Sequence, residues 1–280
     1  MWNLPTPSNS NVIEELNTAL TYKNGKPKHA LTKAETSEIE ALYEFYDYIS
    51  GVANNVLKGE NINFESRKAI YNAYSEVQEG HRLEELRSRL LLAVDKCPYC
   101  GISEADELDH HLPRSIYEVL SVYARNLVPI CHKCNNKKRA ITGENPKERF
   151  THVYFTEIPE DICFFKAQVN MVNDSLIVNF EIDKSANLSN VVYDQLCFQV
   201  ERINLNKRLQ KEVNDFLFSF AVNIQDMYES QNSSKAISQL LLKNSNFFNR
   251  KYGLNNWRTA FLIALSNCEE FCNGGFKKIF

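Results

Sequence analysis

Two Cys-x-x-Cys pairs, Cys97/Cys100 and Cys131/Cys134, constrain this chain more than anything else in it. A two-residue spacer lets one tight turn present both sulfurs to a single ion, and four thiolates suit a tetrahedral Zn²⁺ that is closed and structural. The 30 residues between the pairs exceed what a plain zinc ribbon needs, so the ion is expected to staple the base of an inserted unit. The other cysteines, Cys163, Cys197, Cys268 and Cys272, are scattered, which favours reduced thiols over a disulfide framework.

The inserted unit carries the polar chemistry. Glu107-Leu108-Asp109-His110 reads as a short strand that Pro113 ends, because proline cannot donate to a ladder. A loop runs to Asn126, Leu127–Ile130 reads as the returning strand, and Asn135 is expected to open a helix through Ile141. The order is strand, loop, strand, helix.

This stretch resembles the HNH (ββα-metal) nucleases, whose pattern is Cys-x-x-Cys, Asp-His-x-x-Pro, then Asn-Leu-x-x-x-Cys-x-x-Cys-Asn-x-x-Lys. Cys97, Cys100, Asp109, His110, Pro113, Asn126, Leu127, Cys131, Cys134, Asn135 and Lys138 fill every position. The resemblance implies that His110 is the general base that activates water. It implies that Asp109 and Asn135 hold a catalytic divalent metal, and that Asn126 braces the loop orienting the base. Asn135 stands where the family name has histidine, so the metal is left open between Mg²⁺ and Mn²⁺.

The chemistry asks for such residues on its own account. Imidazole can take a proton from water near neutral pH, while carboxylate and amide oxygens have the hardness a dication needs to neutralise charge building on a phosphate. Neighbours on a strand point to opposite faces, so Asp109 and His110 can approach one phosphate from different directions.

The net charge of the 280 residues is -3, which does not suit a protein held to DNA by its whole surface. Between His110 and Phe150, however, eight Lys and Arg face three Glu, so the expected contact is confined to the nuclease unit, with Arg114, Lys137, Lys138 and Arg139 as its cations. No apolar run is long enough for a membrane span and the first residues lack signal-peptide character, so the expected location is cytoplasmic, with no membrane contact.

The fold class expected is α+β: residues 1–94 a helical N-terminal region, 95–155 the zinc-stapled HNH unit, and 156–280 a β-hairpin followed by helices. Thr32 and Glu35 have capping-box spacing ahead of a long helix striped by Ile39, Leu42, Tyr43, Tyr46 and Ile49. The hairpin is expected to pair 163–169 with 176–180 across Asn173-Asp174, and His152 reads as structural. Phe150–Phe155 and Trp257–Cys272 also resemble the HNH partners encoded beside ATPases in bacterial anti-phage systems such as Septu, which implies an ATPase subunit of a defence complex as partner. The expected function is thus metal-dependent hydrolysis of DNA. The alternatives are a non-catalytic zinc-stapled nucleic-acid-binding module and an RNA-cleaving toxin with the same site.

Overall fold

The computed structural model describes residues 1–280, Pro146 by its backbone alone. The chain is α+β and 51% helical, with two small two-stranded sheets. It divides into two compact units, one made of Asn3–Glu157 and the other of Met1–Trp2 with Ile158–Phe280. None of the described helices is long and apolar enough to cross a membrane.

In the first unit, α1 (Val12–Ala19), α2 (Lys33–Tyr48), α3 (Phe64–Ala73) and α4 (Glu84–Leu92) precede the first cysteine pair. The start of α2 is set by its capping box: Thr32 Oγ1 accepts from the Glu35 amide at 3.2 Å, and the Glu35 carboxylate accepts from the Thr32 amide at 2.9 Å. The expected stripe then buries Ile39, Leu42, Tyr43 and Tyr46. These pack with Leu16, Ile70, Leu86 and Leu90 from the other helices and with Leu108, Leu112, Tyr117, Leu120, Tyr123 and Leu127 from the inserted unit. Regions 1–94 and 95–155 therefore share one core. The strands of the insert are too short to bury an apolar face unaided, and the helices cover it.

Strands β1 (Glu107–His110) and β2 (Leu127–Ile130) pair antiparallel, with Asp109 opposite Val128 and His110 opposite Leu127. Helix α5 spans His132–Lys138, not Asn135–Ile141 as expected. Its first turn is the second cysteine knuckle itself, since the Cys131 carbonyl accepts from the Asn135 amide at 3.0 Å. It stops at Arg139, whose φ of 53° cannot continue a helix.

The second unit opens on a hairpin, β3 (Phe165–Val172) and β4 (Ser175–Ile182), followed by α6 (Asn190–Arg202), α7 (Leu205–Phe218), α8 (Ala221–Gln231), α9 (Ser234–Tyr252), α10 (Trp257–Ser266) and the short α11 (Glu269–Cys272). The ladder starts two residues later than expected and runs further toward the turn. Before it, the Asn255 side chain takes the Phe164 and Phe165 amides at 2.8 and 3.0 Å, fixing the chain's approach. Asn173 and Asp174 make the turn with φ of 48° and 62°, both left-handed, the backbone that a two-residue hairpin needs.

Candidate active site

The four knuckle sulfurs lie within 4.8 Å of one another and all four cysteines are buried. Cys100 and Cys131 Sγ are 3.8 Å apart. An ion about 2.3 Å from each of four tetrahedral sulfurs sets them about 3.8 Å apart, so the donor set and its spacing fit a structural zinc.

On β1 the burial alternates: Leu108 and His110 point inward, while Glu107 and Asp109 lie on the more open face. His110 is 6% exposed, its Nε2 2.9 Å from the Ser121 carbonyl and its ring edge-on to Tyr74 at 4.4 Å between centroids. A carbonyl accepts only, so Nε2 carries the proton and Nδ1 is the lone-pair nitrogen. Burial pushes the ring's pKa down to about 3, the Ser121 bond opposes this, and the charges of Arg114 and Lys138 add to it. The imidazole is thus neutral at physiological pH, with Nδ1 unprotonated.

Asn126, 0% exposed, ties the loop after His110 into a ring of hydrogen bonds. Its Oδ1 accepts from the Leu112 amide (2.8 Å) and the Tyr46 hydroxyl (3.1 Å), and its Nδ2 donates to the Leu112 and Leu120 carbonyls at 3.1 and 3.3 Å. The Tyr46 hydroxyl also meets His152 Nε2 at 2.9 Å, while His152 Nδ1 accepts from the Tyr154 amide at 3.2 Å. Nε2 therefore donates, and a directed relay runs from His152 through Tyr46 to Asn126. His111 turns inward beside it, its ring 4.1 Å from that of His152.

Asp109 Oδ2 is buried, 2.7 Å from Lys138 Nζ, and accepts no well-directed hydrogen bond. The Lys138 ammonium meets this charge, and the carboxylate oxygens are donors of the hardness that the expected cation needs. Lys138 itself corrects the sequence reading. At 1% exposure, with Nζ also donating to the His110 carbonyl at 2.8 Å, it holds β1 from within and is not a surface contact for phosphate. Arg125, counted in the same basic stretch, is likewise turned inward onto Asp47 and the Pro7 carbonyl. Lys137 and Arg139 are exposed, and Arg114 is half-buried.

Asn135 is half-buried on α5, which packs against β1, and its Nδ2 donates to Glu107 Oε2 at 2.7 Å. With the amide nitrogen so engaged, Oδ1 is the atom left to face a cation. Glu107 also meets His132 Nδ1 at 2.6 Å, and His132 Nε2 meets Asn136 at 2.7 Å. Neither Glu107 nor His132 was among the residues singled out in the sequence. The period-two spacing of Glu107 and Asp109 was the available signal for the first.

The class of this site is given by comparison with known proteins. Residues 97–140 match the family model described as HNH endonuclease, so this stretch is an HNH domain. Over 199 residues the chain is 27% identical to Protein ea31 of Escherichia phage lambda, a match covering 66% of each chain. Over 64 residues it is 39% identical to Septu protein PtuB of Bacillus thuringiensis, covering 21% of this chain and 24% of that one. The chain thus spans just under two thirds of the first relative and about a quarter of the second. No solved structure matches the chain.

Proposed function

We propose that this protein is a metal-dependent endonuclease that hydrolyses DNA phosphodiester bonds, acting as the nuclease of an anti-phage defence complex with an ATPase partner. The HNH match at 97–140 and the partial similarity to a Septu protein support the reading. The observation that carries it is the tautomer of His110: the Ser121 carbonyl holds the proton on Nε2, which leaves Nδ1 as a neutral base. Nδ1 takes a proton from water, the hydroxide attacks phosphorus, and the departing 3′ oxygen is protonated from solvent. Asp109 and Asn135 would hold Mg²⁺ or Mn²⁺, which when bound neutralises charge growing on the phosphate. Asn126 keeps the loop behind the base from moving.

Purified full-length protein incubated with plasmid and Mg²⁺ or Mn²⁺ is expected to cut, and EDTA to stop it. His110→Ala should abolish cleavage with zinc content and folding unchanged, while His111→Ala keeps measurable activity. Exchanged phenotypes for the two variants would overturn the assignment of the base. Cleavage of RNA but not plasmid would overturn the substrate. Co-expression with a candidate ATPase followed by affinity purification tests the partner: a complex that survives purification is expected, and recovery of the nuclease alone would overturn it.

A further inference from the structure

We propose that the DNA strand cut at His110 is carried over a strip formed by Lys68, Tyr71, Tyr74 and Arg87, from the helical region before the first cysteine pair, together with Arg114 of the HNH stretch. This rests on the nuclease reading above and extends the substrate contact beyond the HNH stretch.

The strip begins at the base. The Tyr74 ring stands 4.4 Å from that of His110, and its hydroxyl donates to the Leu108 carbonyl at 2.8 Å, so the ring is fixed against β1. The Arg114 guanidinium then lies 4.8 Å from the Tyr74 ring and 4.6 Å from that of Tyr71, and donates to the Tyr71 carbonyl at 3.3 Å. Lys68 Nζ sits 4.4 Å from the centre of the Tyr71 ring, one turn back along α3. From α4, Arg87 donates to the Asp106 carbonyl at 3.0 Å, and its charge reaches the Tyr74 phenol together with those of Arg114 and Asp109. Lys68 is exposed and the other four are half-buried.

What distinguishes these cations is the kind of partner they have. Arg67 pairs with Glu118, Arg125 with Asp47 and Lys138 with Asp109, and each of those charges is spent within the fold. Among the described residues no ion pair neutralises Lys68, Arg87 or Arg114. Aromatic faces and carbonyls hold a guanidinium in place without cancelling its charge, so the three remain available to an anion while losing little entropy on meeting it. Three fixed, unquenched cations leading to a phosphodiesterase base suit a polyanion whose charges repeat along a line, and DNA is the one that the reaction supplies. The carboxylates at the His110 end are Asp109, where the cation belongs, and Glu107 beside it on the same strand face. Glu65 lies one turn before Lys68.

The test uses full-length zinc-loaded protein carrying His110→Ala, so that a labelled DNA duplex is bound and not cut, titrated across salt concentrations. Lys68→Ala and Arg87→Ala should each weaken binding and reduce the slope of log K against log salt by about 0.9, the value for one lost phosphate contact. Tyr71→Ala should weaken binding through loss of the Arg114 clamp. Lys33→Ala, an exposed cation at the start of α2, is the control and should change neither. In the active protein, Lys68→Ala and Arg87→Ala should raise KM several-fold and leave kcat within about twofold, whereas damage to the fold would lower kcat too. If the parent protein cuts DNA but the strip variants behave like Lys33→Ala, the strip is wrong and the nuclease reading stands. If the parent binds and cuts no nucleic acid, both fall. Binding of RNA of the same sequence in place of DNA would also overturn the proposal.

Discussion

The two small sheets reach the same antiparallel pairing by opposite means. In β3/β4 the information is local: eight residues on each strand alternate in burial, and two left-handed residues between them set the register. In β1/β2 only four residues pair on each side, with 16 residues between the strands. Register there depends on partners far away in the chain, namely the cysteine cluster, the Lys138 ammonium and the Asn126 side chain with its link to Tyr46. Register in the hairpin follows from its own turn, whereas register in β1/β2 follows from the unit around it, and β1 carries Asp109 and His110, the proposed metal ligand and base. Asp109 and His110 are placed by long-range ties, at the expense of the strand pair's independence.

The difference predicts unequal vulnerability. The largest effect should follow removal of the zinc, by chelation or by Cys134→Ser, because binding energies of about 10 kcal/mol or more couple to folding in small zinc domains. Hydrogen exchange should then show loss of protection at 107–130 with the hairpin amides at 165–182 little changed. Protection lost equally in both would mean that the sheets are not independent. Acid should act next. All six histidines lie in the first unit, and burial pushes the pKa of His152 down to about 3. Unfolded, that ring takes a proton near pH 6.5, so its contribution is whole above that pH and is lost as the pH falls toward 3. Urea melts with zinc content checked at each pH should show the first unit weakening across this window, and His152→Gln should flatten the dependence. A first unit whose stability does not vary between pH 7 and 4 would contradict it. Asn173→Ala should have the smallest effect, about 1 kcal/mol because alanine lacks the short polar side chain that lets asparagine tolerate the left-handed region, read as a modest fall in the melting of the hairpin unit with cleavage unaltered.

The same distinction governs what could be read from the residues alone. The cysteine pairs, Asp109-His110 with Pro113, the Thr32–Glu35 box and the Asn173-Asp174 turn are short-range patterns whose geometry follows from spacing, and β1/β2, the α2 cap and the hairpin turn lie where those patterns predict, while the ends of the hairpin strands differ by a few residues. Counting cations between 110 and 150 was less informative, because a count does not say which way a side chain points. Lys138 and Arg125 turn inward, while the cations without a carboxylate partner include Lys68 and Arg87, in helices that the count passed over. Nothing near Asn126 in the sequence announces Tyr46 or His152, since a hydrogen bond across 80 or 106 residues leaves no period to detect.

The Tyr46 hydroxyl, seated between His152 and Asn126, also decides how small a working piece of this protein can be made. A fragment cut to the recognisable motif at 97–140 would keep the four knuckle cysteines and His110, yet lose both the tyrosine that secures the loop and the ring that orients the tyrosine. Gly51 marks how tightly that corner is built, for a Cβ there would come within 2.5 Å of the His152 ring. The compact unit that holds all of these residues is 3–157, and any recombination that moves the motif to a new host without α2 and the 150–155 segment leaves behind the side chains that hold its loop.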